Sequence, residues 1–147
     1  MGSALEIKIA STDAEIMACY PVVKELRPSV DGANFIERVR RQMGQGYKLA
    51  YAAKRGKPVA CMGFREMEML ATGPVLYIDD LVTLGAERSK GCGEALLNWA
   101  AELARSRKYK AIHLDSGTQR HDAHRFYTRE KFHISSFHFV LDLGFHA

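Results

Sequence analysis

Cysteine is scarce and unpatterned in this 147-residue chain: Cys19, Cys61 and Cys92 are odd in number and lack metal-type spacing. That argues against a disulfide framework and a cysteine metal cluster, and for reduced thiols in a cytoplasmic protein. Long apolar runs are also missing. None approaches the ~18 residues that suggest a membrane span, and no signal-peptide core is visible. The start Met1-Gly2-Ser3 lacks the Ser or Thr of a myristoylation signal, because position six is Glu6. The expectation is a soluble cytoplasmic chain with no membrane partner. Internal repeats and low-complexity tracts are absent as well. One domain spanning residues 1–147 is expected, burying about two thirds of its unfolded surface. The net charge of +4 is a mild excess. Its basic clusters (Arg38, Arg40, Arg41 and Arg105, Arg107, Lys108, Lys110) have no interleaved aromatic residues for stacking on bases. They read as solvated faces, and no nucleic-acid partner is expected.

Two phosphate-binding fingerprints also fail. A dinucleotide loop needs a third glycine where this chain has Leu96, and no Gly-Lys-Ser/Thr follows for a nucleotide P-loop. What is present is a strand, Tyr77-Ile78-Asp79-Asp80-Leu81-Val82-Thr83, then the loop Arg88-Ser89-Lys90-Gly91-Cys92-Gly93, then a long amphipathic segment. Glycines let backbone approach a ligand, and the free amides of a helix start suit an anion such as pyrophosphate. A glycine-rich turn with no ligand is the plain structural alternative.

Around this stretch the patterning gives alternating elements. Leu5, Ile7 and Ile9 alternate as a first strand, and Thr12-Asp13-Ala14-Glu15 is a capping-box pattern opening a helix that Pro21 and Pro28 limit. A second helix starts at Asp31, buries Phe35, Ile36, Val39 and Met43, and stops at Gly44. Residues 47–53, 59–64 and 75–83 read as an antiparallel meander. The helix 91–107 carries Leu96, Ala100 and Leu103 on one stripe with Trp99 beside it. A helix of that length makes a right-handed crossover, so strand 111–115 should lie parallel to 75–83. Asp122 can cap a short helix ending near Glu130, and segments 132–134 and 137–143 read as closing strands. The order β-α-α-β-β-β-α-β-α-β-β describes an α/β fold with a single mixed, mostly antiparallel sheet flanked by helices.

Leu81-Val82-Thr83 followed at four residues by Arg88-x-x-Gly91-x-Gly93 resembles the acetyl-CoA-binding motif of the GNAT superfamily of N-acetyltransferases. Downstream, Ala123-His124-Arg125-Phe126-Tyr127 with Phe132 resembles that superfamily's second signature, and the element order matches its fold across the whole chain. The chain departs at Lys131, where a glycine is usual, at Arg120, where Asn is common, and at Gly85, where many members have proline.

The resemblance implies an acetyl-CoA cosubstrate and direct acetyl transfer to a primary amine of a small molecule or peptide. Backbone of Leu81, Val82 and Thr83 would pair with the pantetheine arm, which requires a bulge or splaying of the sheet. Amides of Ser89, Lys90, Gly91, Cys92, Gly93 and Glu94, with Arg88 or Lys90 nearby, would hold the pyrophosphate; Ala123 and Tyr127 complete the cofactor contacts. Tyr127 would protonate the departing thiolate, against the alternative of a packing aromatic beside Phe126. Consecutive strand residues face opposite ways, so only one of Asp79 and Asp80 can face the site unless a bulge intervenes, and Asp79 is favoured as base by its place relative to Leu81. A water-mediated base or an already neutral amine are the alternatives, and a charged strand end is the plain reading of the pair. The acceptor would be lined by residues 25–31, where Glu25 suits an amine and Arg27 a carboxylate, and by the loop at Ser135-Ser136. No metal is expected: the six histidines, His121 and His124 among them, lack carboxylate or cysteine partners at ligand spacing. Cys92 reads as a space-filler. Phe137, Phe139 and Val140 would suit a homodimer seam. The rival from another class is an inactive CoA-binding or protein-interaction module of the same fold.

Overall fold

The computed structural model describes residues 4–145, which form two compact units, residues up to Leu114 and residues from Asp115 onward. The first opens with strand β1 (Glu6–Ile9) and helix α1 (Asp13–Leu26). Thr12 closes a full capping box: its hydroxyl accepts from the Glu15 amide while Glu15 Oε1 accepts from the Thr12 amide, each at 3.1 Å. The backbone amides of Thr12 and Ser11, then their hydroxyls, donate to the Glu15 carboxylate and hold it down at about 2. Pro21 lies inside α1 rather than ending it. Pro21 and Met17, whose carbonyl loses its helical donor, both sit on the exposed face, where water can replace the bond. The helix runs on to Leu26, just short of Pro28.

A short turn capped by Asp31 leads into α2 (Phe35–Met43). Strands β2 (Lys48–Lys54), β3 (Lys57–Met69) and β4 (Gly73–Thr83) form the expected antiparallel meander. Here β3 runs beyond its apolar part, because residues after Phe64 keep pairing with β4 although they emerge toward solvent. Helix α3 (Cys92–Ser106) crosses over to β5 (Ile112–Leu114), parallel to β4, and the sheet order is β1-β2-β3-β4-β5.

Strand alternation splits the core into two layers. Tyr47, Leu49, Tyr51, Ala53, Cys61 and Val82 join Ile16, Cys19, Val22, Phe35 and Val39 of α1 and α2 in one cluster. In the other layer, Phe64 meets Trp99 of α3 edge-on at 5.7 Å, and Leu96 is fully buried. Burying a side chain of the size of Phe64 or Leu96 contributes about 1.5–3 kcal/mol. All three cysteines are buried and free.

The second unit contains α4 (His121–Arg129), which differs from expectation at its start. Asp122 does not cap it; Arg120 holds that position without a side-chain bond, and Asp122 pairs instead with Arg125 one turn on. The two closing strands are not formed. Residues 132–143 make no ladder, and Ile134, Phe137, Phe139, Val140, Leu141 and Leu143 are exposed. Alternation of apolar residues specifies which face a strand would bury but supplies no partner, and without ladder bonds there is no strand. Among the described residues, no helix is long and apolar enough to cross a membrane.

Candidate acyl-transfer site

One irregularity in the sheet arranges the charged end of β4. Gly63 pairs with Asp80 and Phe64 with Ile78, so Asp79 is an extra residue opposite the junction, a β-bulge. The inserted residue breaks the two-residue alternation, and Tyr77, Asp79 and Asp80 all line one cleft. The choice between Asp79 and Asp80 by strand parity is therefore removed: both carboxylates reach the same space. The remaining walls come from α1 and the loop after it (Val23, Arg27, Val30), from α2 (Phe35, Arg38, Val39, Gln42) and from Tyr47. The cleft measures about 290 Å³.

The two carboxylates have different surroundings. Arg65 Nε donates to both Asp79 oxygens, at 3.0 and 3.3 Å. Arg27 Nε donates to Asp80 Oδ1 at 2.9 Å, and the same guanidinium reaches the Asp79 carbonyl at 3.1 Å. The Tyr47 hydroxyl donates to Asp80 Oδ2 at 2.9 Å. Burial pushes the Asp79 carboxyl above its ordinary value, with the Asp80 charge adding to it and Arg65 only partly opposing. Burial, then the Asp80 carboxylate, pushes the Tyr47 phenol strongly upward, so it remains a donor. Arg27 and Glu25 are thus occupied within the unit: Glu25 accepts from the Gly85 amide at 3.0 Å and lies 3.9 Å from Arg88.

Tyr47 reaches Asp80 by crossing Gly63, where an added Cβ would lie 1.9 Å from the phenol oxygen and 2.4 Å from the ring. Only the missing side chain admits that ring. Gly63→Ala should therefore lower stability by about 1–3 kcal/mol, the usual range for overpacking. In a Tyr47→Leu background the same change should cost far less, which urea midpoints of the four proteins in the cycle would measure. Equal costs in both backgrounds would refute the contact. A glycine inside the apolar run Val59–Phe64 was the available sequence signal for this close approach. Nothing in the sequence named Tyr47, Arg65 or Arg38 as its neighbours.

Two further features lie along β4. Pairing with β5 ends at Ile78 with Leu114, while β4 continues to Thr83. Leu81, Val82 and Thr83 therefore pair with β3 on one side and, among the described residues, have no strand on the other. Beyond them the chain turns through Gly85–Glu87 into the glycine loop. Ser89 and Gly91 both take positive φ, 63° and 83°, and Gly91 is the N-cap of α3. The first helical bond runs from the Ala95 amide to the Gly91 carbonyl, so the amides of Cys92, Gly93 and Glu94 precede the ladder. Arg88, Ser89 and Lys90 are exposed, and Lys54 and Lys90 flank Glu87 at 2.6 and 3.7 Å. An anion binding there meets free amides, the positive end of a helix, and three cations that share the Glu87 and Glu25 carboxylates. Cys92 points inward and is buried, as a space-filler would be.

Asp79, the β4 edge and the glycine loop thus belong to one unit. Ala123 and Tyr127 lie on α4 in the other, as does the Ser135-Ser136 loop. There the Tyr127 ring sits 5.5 Å from Phe126 and 5.6 Å from Phe132, both edge-on. His124 Nε2 lies 2.7 Å from the Gly117 carbonyl.

Comparison with known proteins identifies the family. The chain is 33% identical over 125 residues to the uncharacterized N-acetyltransferase YhdJ of Bacillus subtilis (strain 168), covering 84% of this chain and 88% of that one. It is 42% identical over 63 residues to the aminoalkylphosphonate N-acetyltransferase of Salmonella typhimurium, a match covering 43% of this chain and 41% of the relative. In fold it is similar to the aminoglycoside N-acetyltransferase AAC(6')-Iy solved in complex with CoA, with a TM-score of 0.84, 11% identity, and 98% and 97% of the two chains covered. With residues 10–132 matching the sequence model of the acetyltransferase (GNAT) family, the chain belongs to that family and is an acyltransferase.

Proposed function

We propose that the protein transfers the acetyl group of acetyl-CoA directly to a primary amine bound in the Asp79–Asp80 cleft. The observation that carries this reading is the form of β4. Among the described residues its β5-side edge has no strand from Leu81 to Thr83, next to a bulge that presents two carboxylates and ahead of a helix start with free amides. An extended pantetheine arm can use that edge as a strand would, and the amides from Ser89 to Glu94, with Arg88 and Lys90, suit its pyrophosphate. The thioester supplies the activated acetyl group.

Asp79 takes the proton from the acceptor ammonium, leaving the nitrogen lone pair to form the new C–N bond as the C–S bond breaks. The raised Asp79 value favours it as base, because proton uptake becomes easier as the carboxyl moves toward neutrality. Tyr127 supplies the proton to the departing sulfur, and the second proton that the nitrogen sheds on becoming an amide returns through solvent to the tyrosinate; its role rests on the Ala-x-x-Phe-Tyr pattern. The Salmonella relative, named for an aminoalkylphosphonate acceptor, supports an amine as the acceptor class.

The test is release of free thiol from acetyl-CoA across a panel of small amines and peptides, together with melting curves. Acetyl-CoA at a hundredfold excess over its Kd should stabilise the protein by about 2.7 kcal/mol, read as a rise in Tm. A rise in Tm without thiol release from any amine would favour an inactive CoA-binding module. No rise would count against both readings.

A further inference from the structure

Resting on the acetyl-transfer reading of the cleft, we infer that the acceptor is a compact primary amine carrying an oxyanion, a carboxylate or a phosphonate, which Arg38 binds. The basis is the charge balance of the cleft. Asp79 is held by Arg65 and Asp80 by Arg27. On α2 itself, Arg40 pairs with Asp13 at 2.9 Å and Arg41 with Glu37 at 3.9 Å. Arg38 lines the cleft, is half-buried, and among the described residues has no ion-pair or hydrogen-bond partner. A guanidinium held in a partly desolvated wall without a carboxylate is a ready fork for a planar or tetrahedral oxyanion.

The sign of the surplus matters as much as its presence. Both carboxylates that could attract a cation already have an arginine, so the cleft does not select for extra positive charge. Polyamines and other oligocations would meet Arg38 with nothing to offset it. Size points the same way: about 290 Å³ lies at the low end of ligand pockets and suits an amino-acid-sized molecule. Gln42, one helical turn beyond Arg38 in the same lining, adds an amide that can share the anion. Val23, Val30, Phe35 and Val39 leave an apolar wall for a short methylene chain between the two charged groups.

Matched acceptors test this: β-alanine against β-alaninamide, and 2-aminoethylphosphonate against ethanolamine, with spermidine as the cationic extreme. Thiol release gives kcat/KM for each, and thermal shifts of the CoA-saturated protein give binding independent of turnover. The anionic member of each pair should be preferred about 10–100-fold, the scale of a charge-assisted hydrogen bond. Arg38→Gln should cut that ratio about tenfold or more, chiefly through KM, and Arg38→Lys should recover part of it. Equal or better rates for the neutral members overturn the inference. So does a preference for spermidine, or a Gln variant that lowers both members by the same factor. If no amine releases thiol but the anionic members still raise Tm in an Arg38-dependent way, the transfer reading falls and the anion site stands. Thiol release from neutral and cationic amines alone does the opposite, and neither signal overturns both.

Discussion

Replacing Tyr127 with phenylalanine should lower kcat for acetyl transfer by about 10²–10⁴-fold while the protein still folds, the range that a positioned general acid contributes. Folding should survive because the ring's neighbours in its own unit are aromatic: Phe126 and Phe132 lie 5.5 and 5.6 Å away, and phenylalanine keeps both contacts. The substitution removes the proton that the proposed role requires. A phenol of ordinary pKa about 10 stays protonated at neutral pH and can donate to a thiolate as it forms. The leaving group discriminates this role from a structural one. Without a donor the C–S bond must break to the bare thiolate, so acetyl donors built on more acidic thiols should recover more of the lost rate in the Phe variant than they add in wild type. Unchanged dependence on thiol acidity would remove Tyr127 from the chemistry, whatever the size of the rate loss.

The sheet and its helices were legible in the sequence because their signals are local. Alternation at Tyr47–Ala53, the capping box at Thr12 and the stripe on α3 each lie within one element, and each element formed where its pattern lies. The misses have different physical causes. Pro21 was expected, with Pro28, to limit the helix, yet a helix tolerates a lost bond on a wet face. The apolar residues of 137–143 say which face would be buried, but partner choice is not a local property, and no strand formed there. The glycine loop and the end of β4 could be found from spacing, since consecutive residues deliver one glycine turn at a helix start and one strand edge. The cleft could not. Arg27, Arg38, Tyr47, Arg65 and Asp79 come from five separate elements and connections, and only the folded register brings them together. Gly63 joins the two kinds of information: its identity is local, but its reason is a tyrosine just ahead of the neighbouring strand.

The bulge also makes the second large effect predictable, that of Asp79→Asn. Loss of the base should lower kcat/KM about 10²–10⁴-fold near neutral pH, and the shape of the pH profile carries more information than the drop. Below its own pKa, near 10 for a simple alkylamine like that of lysine, the acceptor is an ammonium ion. If Asp79 takes that proton, the wild-type profile has a plateau bounded above by the acceptor's pKa and below by that of Asp79. Burial raises the Asp79 value, so protonation of the base sets in at higher pH than for an ordinary carboxylate of about 3.9. The acid limb should therefore appear above that value. The shift also has a catalytic consequence. Each unit by which it narrows the gap to the ammonium removes about 1.4 kcal/mol from an uphill proton transfer. The Asn variant can use only the amine that is already free, so its log kcat/KM should climb with unit slope up to the acceptor's pKa, with no plateau. Asp80→Asn should keep the plateau, because Asp80 is tied to Arg27 and Tyr47, and should lose rate through the positions of those groups. A plateau retained in the Asp79 variant and lost in the Asp80 variant would exchange the two roles. A unit slope already present in wild type would mean that the amine arrives neutral and neither carboxylate acts as base.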